Sequence, residues 1–236
     1  MEQILKEIDI NGRPFTYRKN SHGDQSVMQQ IFNNQEYNMN GMAQTLALYA
    51  WLGRQKDKPP LIIDAGANIG ASAAWYALKF PLAKIIAVEP EHGNYELLVT
   101  NSKDRDIITV EAAIGCHSGE AVVTDPGRGD WGFRVTVENT VQGNPVKMMT
   151  VRDCMRLATE SAPFICKIDI EGSEADLFSS NLEWMEAFPC IIIELHSWML
   201  PGQGSSMNFI KAIARGNWDV CLRGENLFCF NNKLLR

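Results

Sequence analysis

The chain has 236 residues, with 22 basic and 28 acidic side chains and a formal net charge of −6. That length suits one large α/β unit, or such a unit with a small appendage, and the negative balance argues against a broad electrostatic grip on nucleic acid or an anionic membrane. The six cysteines (116, 154, 166, 190, 221 and 229) show no C-x-x-C pair and no zinc-ligand spacing with the four histidines.

The opening MEQILKEIDI is too charged for a secretory leader, and no apolar run reaches membrane-spanning length. A reduced, soluble, cytoplasmic protein is the expectation. IDINGRPFTYR places apolar residues on both sides of Asn11-Gly12, the dipeptide of a tight hairpin turn. Two helical stretches follow, SVMQQIFNN and MAQTLALYAWLGRQ, and Lys58-Pro59-Pro60 then stops the helix and launches a strand. Residues 1–59 thus read as a hairpin and helical extension, and 60–236 as the main domain.

From there the chain alternates short apolar runs with helical segments. The runs are LIID (61–64), KIIAVE (84–89), IITVEAAI (107–114), FICKIDI (164–170) and CIIIELH (190–196). Unbroken apolar runs suit parallel strands covered on both faces. ASAAWYALKF and NYELLVTNS have the length of βαβ crossovers, which gives an α/β, doubly wound, mostly parallel sheet. A strand-rich insertion at about 116–150 carries a glycine-rich tip, and NWDVCLRGENLFCFNN reads as a terminal hairpin turning at Arg223-Gly224.

In an open parallel sheet the first βα loop is the natural ligand site. Here it is LIIDAGANIG. A dinucleotide fingerprint G-x-G-x-x-G would need glycines where Asn68 and Ala71 stand, and no lysine follows Gly70 to make a phosphate loop. Asp64 before the turn would repel a pyrophosphate and attract a cofactor bearing an ammonium and a sulfonium, which is S-adenosylmethionine. Glu89 ends the second strand, before Pro90, where a carboxylate accepts hydrogen bonds from ribose hydroxyls.

The segments IIDAGANIG, IIAVEPEHGNYELLVTN, VEAAIG, CKIDIEGSEADLF and IIIELH, in this order and spacing, resemble the FkbM family of S-adenosylmethionine-dependent methyltransferases. The resemblance implies the class I methyltransferase fold, a seven-stranded Rossmann-like sheet whose last strand is antiparallel. It also implies that Asp64, Gly66, Asn68 and Gly70, with Ala67 beside them, line the methionine end. Glu89 and Pro90 would hold the ribose, and Ala112 would lie near the adenine.

Methyl transfer to a hydroxyl needs an aligned nucleophile and removal of its proton by a base or through a metal. The fourth strand offers Lys167, Asp169 and Glu171 on one face by strand alternation, an ionisable set that is costly to bury unless paired. Asp169 is expected to contact cofactor or metal, and Glu171 to act as base. Helix capping accounts for Ser173 and Glu174. Glu194 and His196 share a face at the end of the fifth strand. Glu194 faces substrate, the ordinary pKa of His196 suits proton transfer, and Asp169, Glu194 and His196 would hold a divalent cation if they converge. Tyr37, after the first helix, and Trp131, between glycines in DPGRGDWGF, are the remaining substrate candidates.

The expected activity is small-molecule O-methylation, and the resemblance implies a hydroxyl of a sugar or natural product as acceptor. An NAD-binding oxidoreductase and a non-catalytic cofactor-binding interaction protein are the rivals. A nucleic-acid partner is disfavoured by charge and by the missing Asn/Asp-Pro-Pro-aromatic motif of base amino-methyltransferases, and no membrane partner is expected. The acceptor is a small molecule or glycan, and the oligomeric state stays open, a dimer included.

Overall fold

The structure, a computed structural model, describes residues 4–55, 57–124, 134–136 and 143–236. Strands β1 (Leu5–Asp9) and β2 (Pro14–Arg18) form the N-terminal hairpin, with Asn11 and Gly12 both at positive φ. Helix α1 (His22–Met28) starts at Ser21, whose hydroxyl accepts the Asp24 N–H at 3.0 Å, and runs into a π-helical stretch, Gln29–Asn33. Helix α2 (Gln44–Arg54) completes the segment.

The main sheet begins with β3 (Pro60–Ala65), α3 (Ala71–Lys79), β4 (Lys84–Glu89), α4 (His92–Asn101) and β5 (Ile107–Glu111). The expected run 107–114 is two strands. Ala112 donates its N–H to the Glu89 carbonyl, after which β6 (Ala113–Ile114) leaves the main sheet. It pairs in parallel with β9 (Asn144–Met149) of a four-stranded sheet that also contains β7 (Gly119–Thr124) and β8 (Arg134–Thr136). The glycine-rich tip, 125–133, lies outside the described residues, and Trp131 with it.

The second half adds α5 (Val151–Arg156), β10 (Ala162–Ile168), α6 (Glu174–Leu177), β11 (Cys190–Glu194), α7 (Met207–Arg215), β12 (Trp218–Arg223), β13 (Asn226–Asn231) and α8 (Asn232–Leu235). The seven-stranded order is β12-β13-β11-β10-β3-β4-β5. Strand β13 runs antiparallel to both neighbours and the other pairings are parallel. The chain goes from β3 to β4 on one side and returns through β10 on the other, so strand order reverses beside β3, where such folds bind ligands.

Both faces of the sheet are covered, which explains the unbroken apolar runs. Leu61 and Ile63 pack into one apolar cluster with Trp184 and Phe209, while Ile62 packs into the opposite one with Phe15, Leu48, Trp51 and Tyr76. The N-terminal segment thus supplies part of the core beneath one face. On that face Ile62, Ile165, Ile192 and Phe228 are buried at the middle of their strands.

Candidate active site

Period-two alternation from those four apolar residues carries the same face to Asp64, Lys167, Glu194 and Asn226 at one end of the sheet. Register pairs Lys167 directly with Asp64, and Glu194 with Asn226. Four adjacent strands therefore turn from apolar to polar together. Tyr37 lies against this patch, its ring stacked on Tyr76 and 5.9 Å from Lys167 Nζ.

Lys167 is 2% exposed, and its ammonium donates to the Gly66 carbonyl at 2.6 Å and pairs with Asp64 at 3.0 Å and Asp169 at 3.6 Å. Burial pulls its pKa down, but the Asp64 and Asp169 carboxylates outweigh burial and hold it above the ordinary lysine value. Asp64 is fully buried, with its second oxygen accepting from Ser72 Oγ at 2.5 Å. It lines neither cavity at this end of the sheet. The expected direct contact between Asp64 and a cationic cofactor is therefore corrected: its charge is matched by Lys167, and its place is beneath the loop.

The loop above is held by backbone geometry. Gly66 has φ +78, and a Cβ there would sit 1.7 Å from the Asp169 carbonyl oxygen. Asn68 is also left-handed, at φ +50, a conformation that asparagine tolerates. Its side chain accepts the Ile69 N–H at 2.7 Å. Gly70 caps α3, where a Cβ would press on Leu98 Cδ1 at 2.9 Å, so its role is packing α3 on α4. Glu89 accepts from the Asn68 N–H at 2.8 Å and the Glu91 N–H at 3.0 Å. Its burial outweighs those bonds and pushes the carboxyl up to about 7. Gly66, Asn68, Glu89, Pro90, Ala112 and Asp169 line one cavity, and Val135 of the insertion closes part of it.

A second cavity of about 380 Å³ lies beside it, bounded by Glu36, Tyr37, Ala67, Glu194, His196 and the exposed Trp198 among others. The two cavities share Gly66, Asn68, Asp169 and Glu171.

Between them stands a compact ionisable cluster. Strand β10 ends at Ile168, so alternation does not place Glu171; a left-handed backbone at φ +52 does, turning its side chain toward His196. His196 Nδ1 is 2.7 Å from Glu174 Oε1. Its Nε2 lies 3.5 Å from Asp169 Oδ1, 3.6 Å from Glu171 Oε2 and 3.5 Å from Glu194 Oε1. Burial alone would lower its pKa, but the contacts to Glu174 and Glu194 and the Asp169 charge push it up to about 11. That direction departs from the ordinary histidine pKa expected to suit proton transfer. Glu171 is pushed up to about 7, first by burial and then by Asp169, and Glu194 is raised for the same leading reason.

Glu174 is the residue that sequence reasoning missed. Read as a helix-capping acid, it is fully buried and accepts from the Gly172 N–H at 3.1 Å as well as facing His196. Ser173 stands at the N-cap but makes no side-chain cap; its hydroxyl is 3.4 Å from the Val135 carbonyl. The cysteine and histidine spacing also hid a grouping of Cys116, His117 and Asp176, whose ligand atoms lie within 4.8 Å of one another.

A doubly wound seven-stranded sheet with an acid-ended second strand, and a cavity lined by that acid at its switch point, defines a Rossmann-like methyltransferase fold. Residues 64–217 match the methyltransferase FkbM domain, and the chain belongs to that family. Among curated relatives it is 22% identical over 151 residues to the hexuronic acid methyltransferase AglP of Haloferax volcanii, covering 62% of this chain and 60% of that protein. It is 37% identical over 67 residues to methyltransferase sdnD of Sordaria araneosa, covering 28% of this chain and 26% of that protein. The chain thus spans less than two thirds of either relative. A solved putative O-methyltransferase from Klebsiella pneumoniae aligns over 87% of this chain and 90% of its own, at 13% identity and a TM-score of 0.45. No helix among the described residues is long and apolar enough to cross a membrane.

Proposed function

We propose that the chain transfers a methyl group from S-adenosylmethionine to a hydroxyl of a sugar or small natural product. The observation that carries this is the meeting of two cavities at Gly66, Asn68, Asp169 and Glu171. A donor in the first, its ribose on Glu89, would present its sulfonium methyl to an acceptor in the second, the in-line arrangement that displacement needs. The acceptor cavity, about 380 Å³, has the size of a small-molecule site. A sugar acceptor is consistent with the similarity to the hexuronic acid methyltransferase AglP, and the exposed Trp198 indole at the rim offers an apolar face to a sugar ring.

In this reading Asp169 faces both donor and acceptor, and Tyr37 roofs the acceptor. The acceptor's proton passes to a carboxylate of the cluster, Glu171 or Glu194. His196 Nε2 lies 3.6 Å from Glu171 and 3.5 Å from Glu194. Labelled methyl transfer to a panel of glycans and hydroxylated metabolites tests the activity. Thermal shift with S-adenosylmethionine, S-adenosylhomocysteine and NAD tests the cofactor, and stabilisation by NAD alone would favour the oxidoreductase.

Glu89 gives the donor site a pH dependence. Ribose hydroxyls donate to the carboxylate form, so the free carboxyl at about 7 must lose its proton on binding. Donor affinity is expected to weaken as pH falls through 7, approaching about tenfold per unit below it. In the empty protein the raised pKa works the opposite way, adding stability that is full below the ordinary carboxyl value and lost as pH rises through 7. Calorimetry of S-adenosylhomocysteine binding from pH 5.5 to 8.5 reads the first effect, and a flat affinity would remove Glu89 from the ribose site.

A further inference from the structure

His196 is held as a ligand would be held. Its Nδ1 is engaged by Glu174, which is itself fully buried, so Nε2 is the nitrogen directed toward Asp169, Glu171 and Glu194. Those three carboxylate oxygens stand 3.5 to 3.6 Å away, beyond the range of good hydrogen bonds. Ligand atoms around a divalent ion with bonds of about 2.1 Å sit about 3.0 to 3.4 Å apart, so the gap is close to ion-sized.

Two further observations agree. Among the described residues, Glu171 Oε2 and Glu174 Oε2 are buried without a hydrogen-bond partner, a costly state. The charges are also unequal. Asp64 matches Lys167, which leaves Asp169, Glu171, Glu174 and Glu194 around a single imidazole. Ligand atoms of Asp169, Glu171 and His196 all lie within 4.8 Å of one another, and Glu194, 3.5 Å from His196, stands outside that trio. The trio therefore differs from the Asp169, Glu194 and His196 grouping expected from sequence.

We propose that Asp169, Glu171 and His196 bind a divalent first-row cation, that Glu174 fixes the imidazole tautomer, and that Glu194 is the neighbouring proton acceptor. Carboxylates with one imidazole suit Mn²⁺ better than an all-oxygen ion. A carboxylate on the far ring nitrogen of a metal-bound histidine is the usual orienting partner.

The role of the ion rests on the methyl-transfer reading: bound beside the shared wall of the two cavities, it would hold the acceptor oxygen. The acceptor O–H bond then breaks with its proton going to Glu194. An O–CH₃ bond forms as the S–CH₃ bond breaks, and the sulfonium leaves as the neutral thioether of S-adenosylhomocysteine. This assignment makes Glu171 a ligand and leaves the proton to Glu194.

The test is Mn²⁺ titration into the chelator-treated full chain, with free Mn²⁺ read by electron paramagnetic resonance. One Mn²⁺ per chain is expected, lost in His196→Ala and in Asp169→Asn, weakened about 10- to 100-fold in Glu174→Gln, and unchanged in Cys116→Ser. Circular dichroism checks that each variant folds, and the partly exposed Asp169 gives a second variant should His196→Ala not fold. Absence of stoichiometric binding by the folded wild type, binding that persists in Asp169→Asn, or loss in Cys116→Ser would overturn the site. Calorimetry with S-adenosylhomocysteine separates the two readings. Donor binding without Mn²⁺ binding sinks the cation site alone, and Mn²⁺ binding without donor binding sinks the methyl-transfer reading alone.

Discussion

Gly66→Ala is expected to destabilise the chain by about 4 kcal/mol and to abolish donor binding. Two independent costs meet at this position. The backbone is left-handed at φ +78, and the added Cβ would lie 1.7 Å from the carbonyl oxygen of Asp169 and 2.8 Å from its carbonyl carbon. Neither neighbour is a flexible side chain. The Asp169 N–H is bonded to the Ala65 carbonyl at 3.0 Å, so the loop after β3 and the loop after β10 are fixed against each other, and relief requires the strand ends to part. That motion would carry Asp169 away from His196 and Lys167. Gly12→Ala is the control: it shares a φ of +80 but meets nothing within 4 Å, so only the backbone cost of about 1 kcal/mol applies. Urea midpoints for the two variants, with S-adenosylhomocysteine calorimetry, make the comparison. Equal midpoints would mean that close approach of the two loops does not limit stability.

How far the sequence exposes this architecture depends on the range of the interaction that fixes each part. The parallel strands are legible because burial on both faces writes itself as continuous runs such as LIID and CIII. The hairpin turn is legible because Asn11-Gly12 is a local backbone preference. The run 107–114 misleads, since Ala113 leaves the main sheet to pair with Met148, more than thirty residues away, while its apolar character is unchanged. Asp64 misleads for a related reason. Its neutralising partner lies on β10, and adjacency of β10 to β3 is a matter of strand order, which local pattern does not carry.

The cluster itself is half legible. Asp169, Glu171, Glu194 and His196 stand out because ionisable residues interrupt apolar runs, and the structure brings them together. Glu174 stays hidden because a carboxylate in the first turn of a helix has a sufficient local explanation, while its actual partner is 22 positions further along. A buried acid that makes no cap is distinguishable from a capping acid only through its tertiary contact.

Lys167→Met is expected to cost about 3 to 5 kcal/mol, most of it from Asp64 rather than from the lost lysine. Asp64 has no exposure and is bonded to Ser72 on one oxygen, with the other paired to Lys167 at 3.0 Å. Removing the ammonium leaves that carboxylate buried without a counter-charge and leaves the Gly66 carbonyl without its donor. Asp64→Asn strands the lysine in turn. The double variant Asp64→Asn/Lys167→Met removes both charges, so it is expected to be more stable than the sum of the single effects predicts, with a coupling of at least about 1 kcal/mol. Chemical denaturation of the four proteins measures it, and additive effects would mean that the pair contributes no coupling. The double variant also isolates function from stability. Lys167 faces the Tyr37 ring and Asp169 at once, so on the proposed methyl-transfer reading a folded protein without it should retain donor binding on Glu89 while acceptor KM rises, because Tyr37 and Asp169, both lining the second cavity, have lost the cation between them.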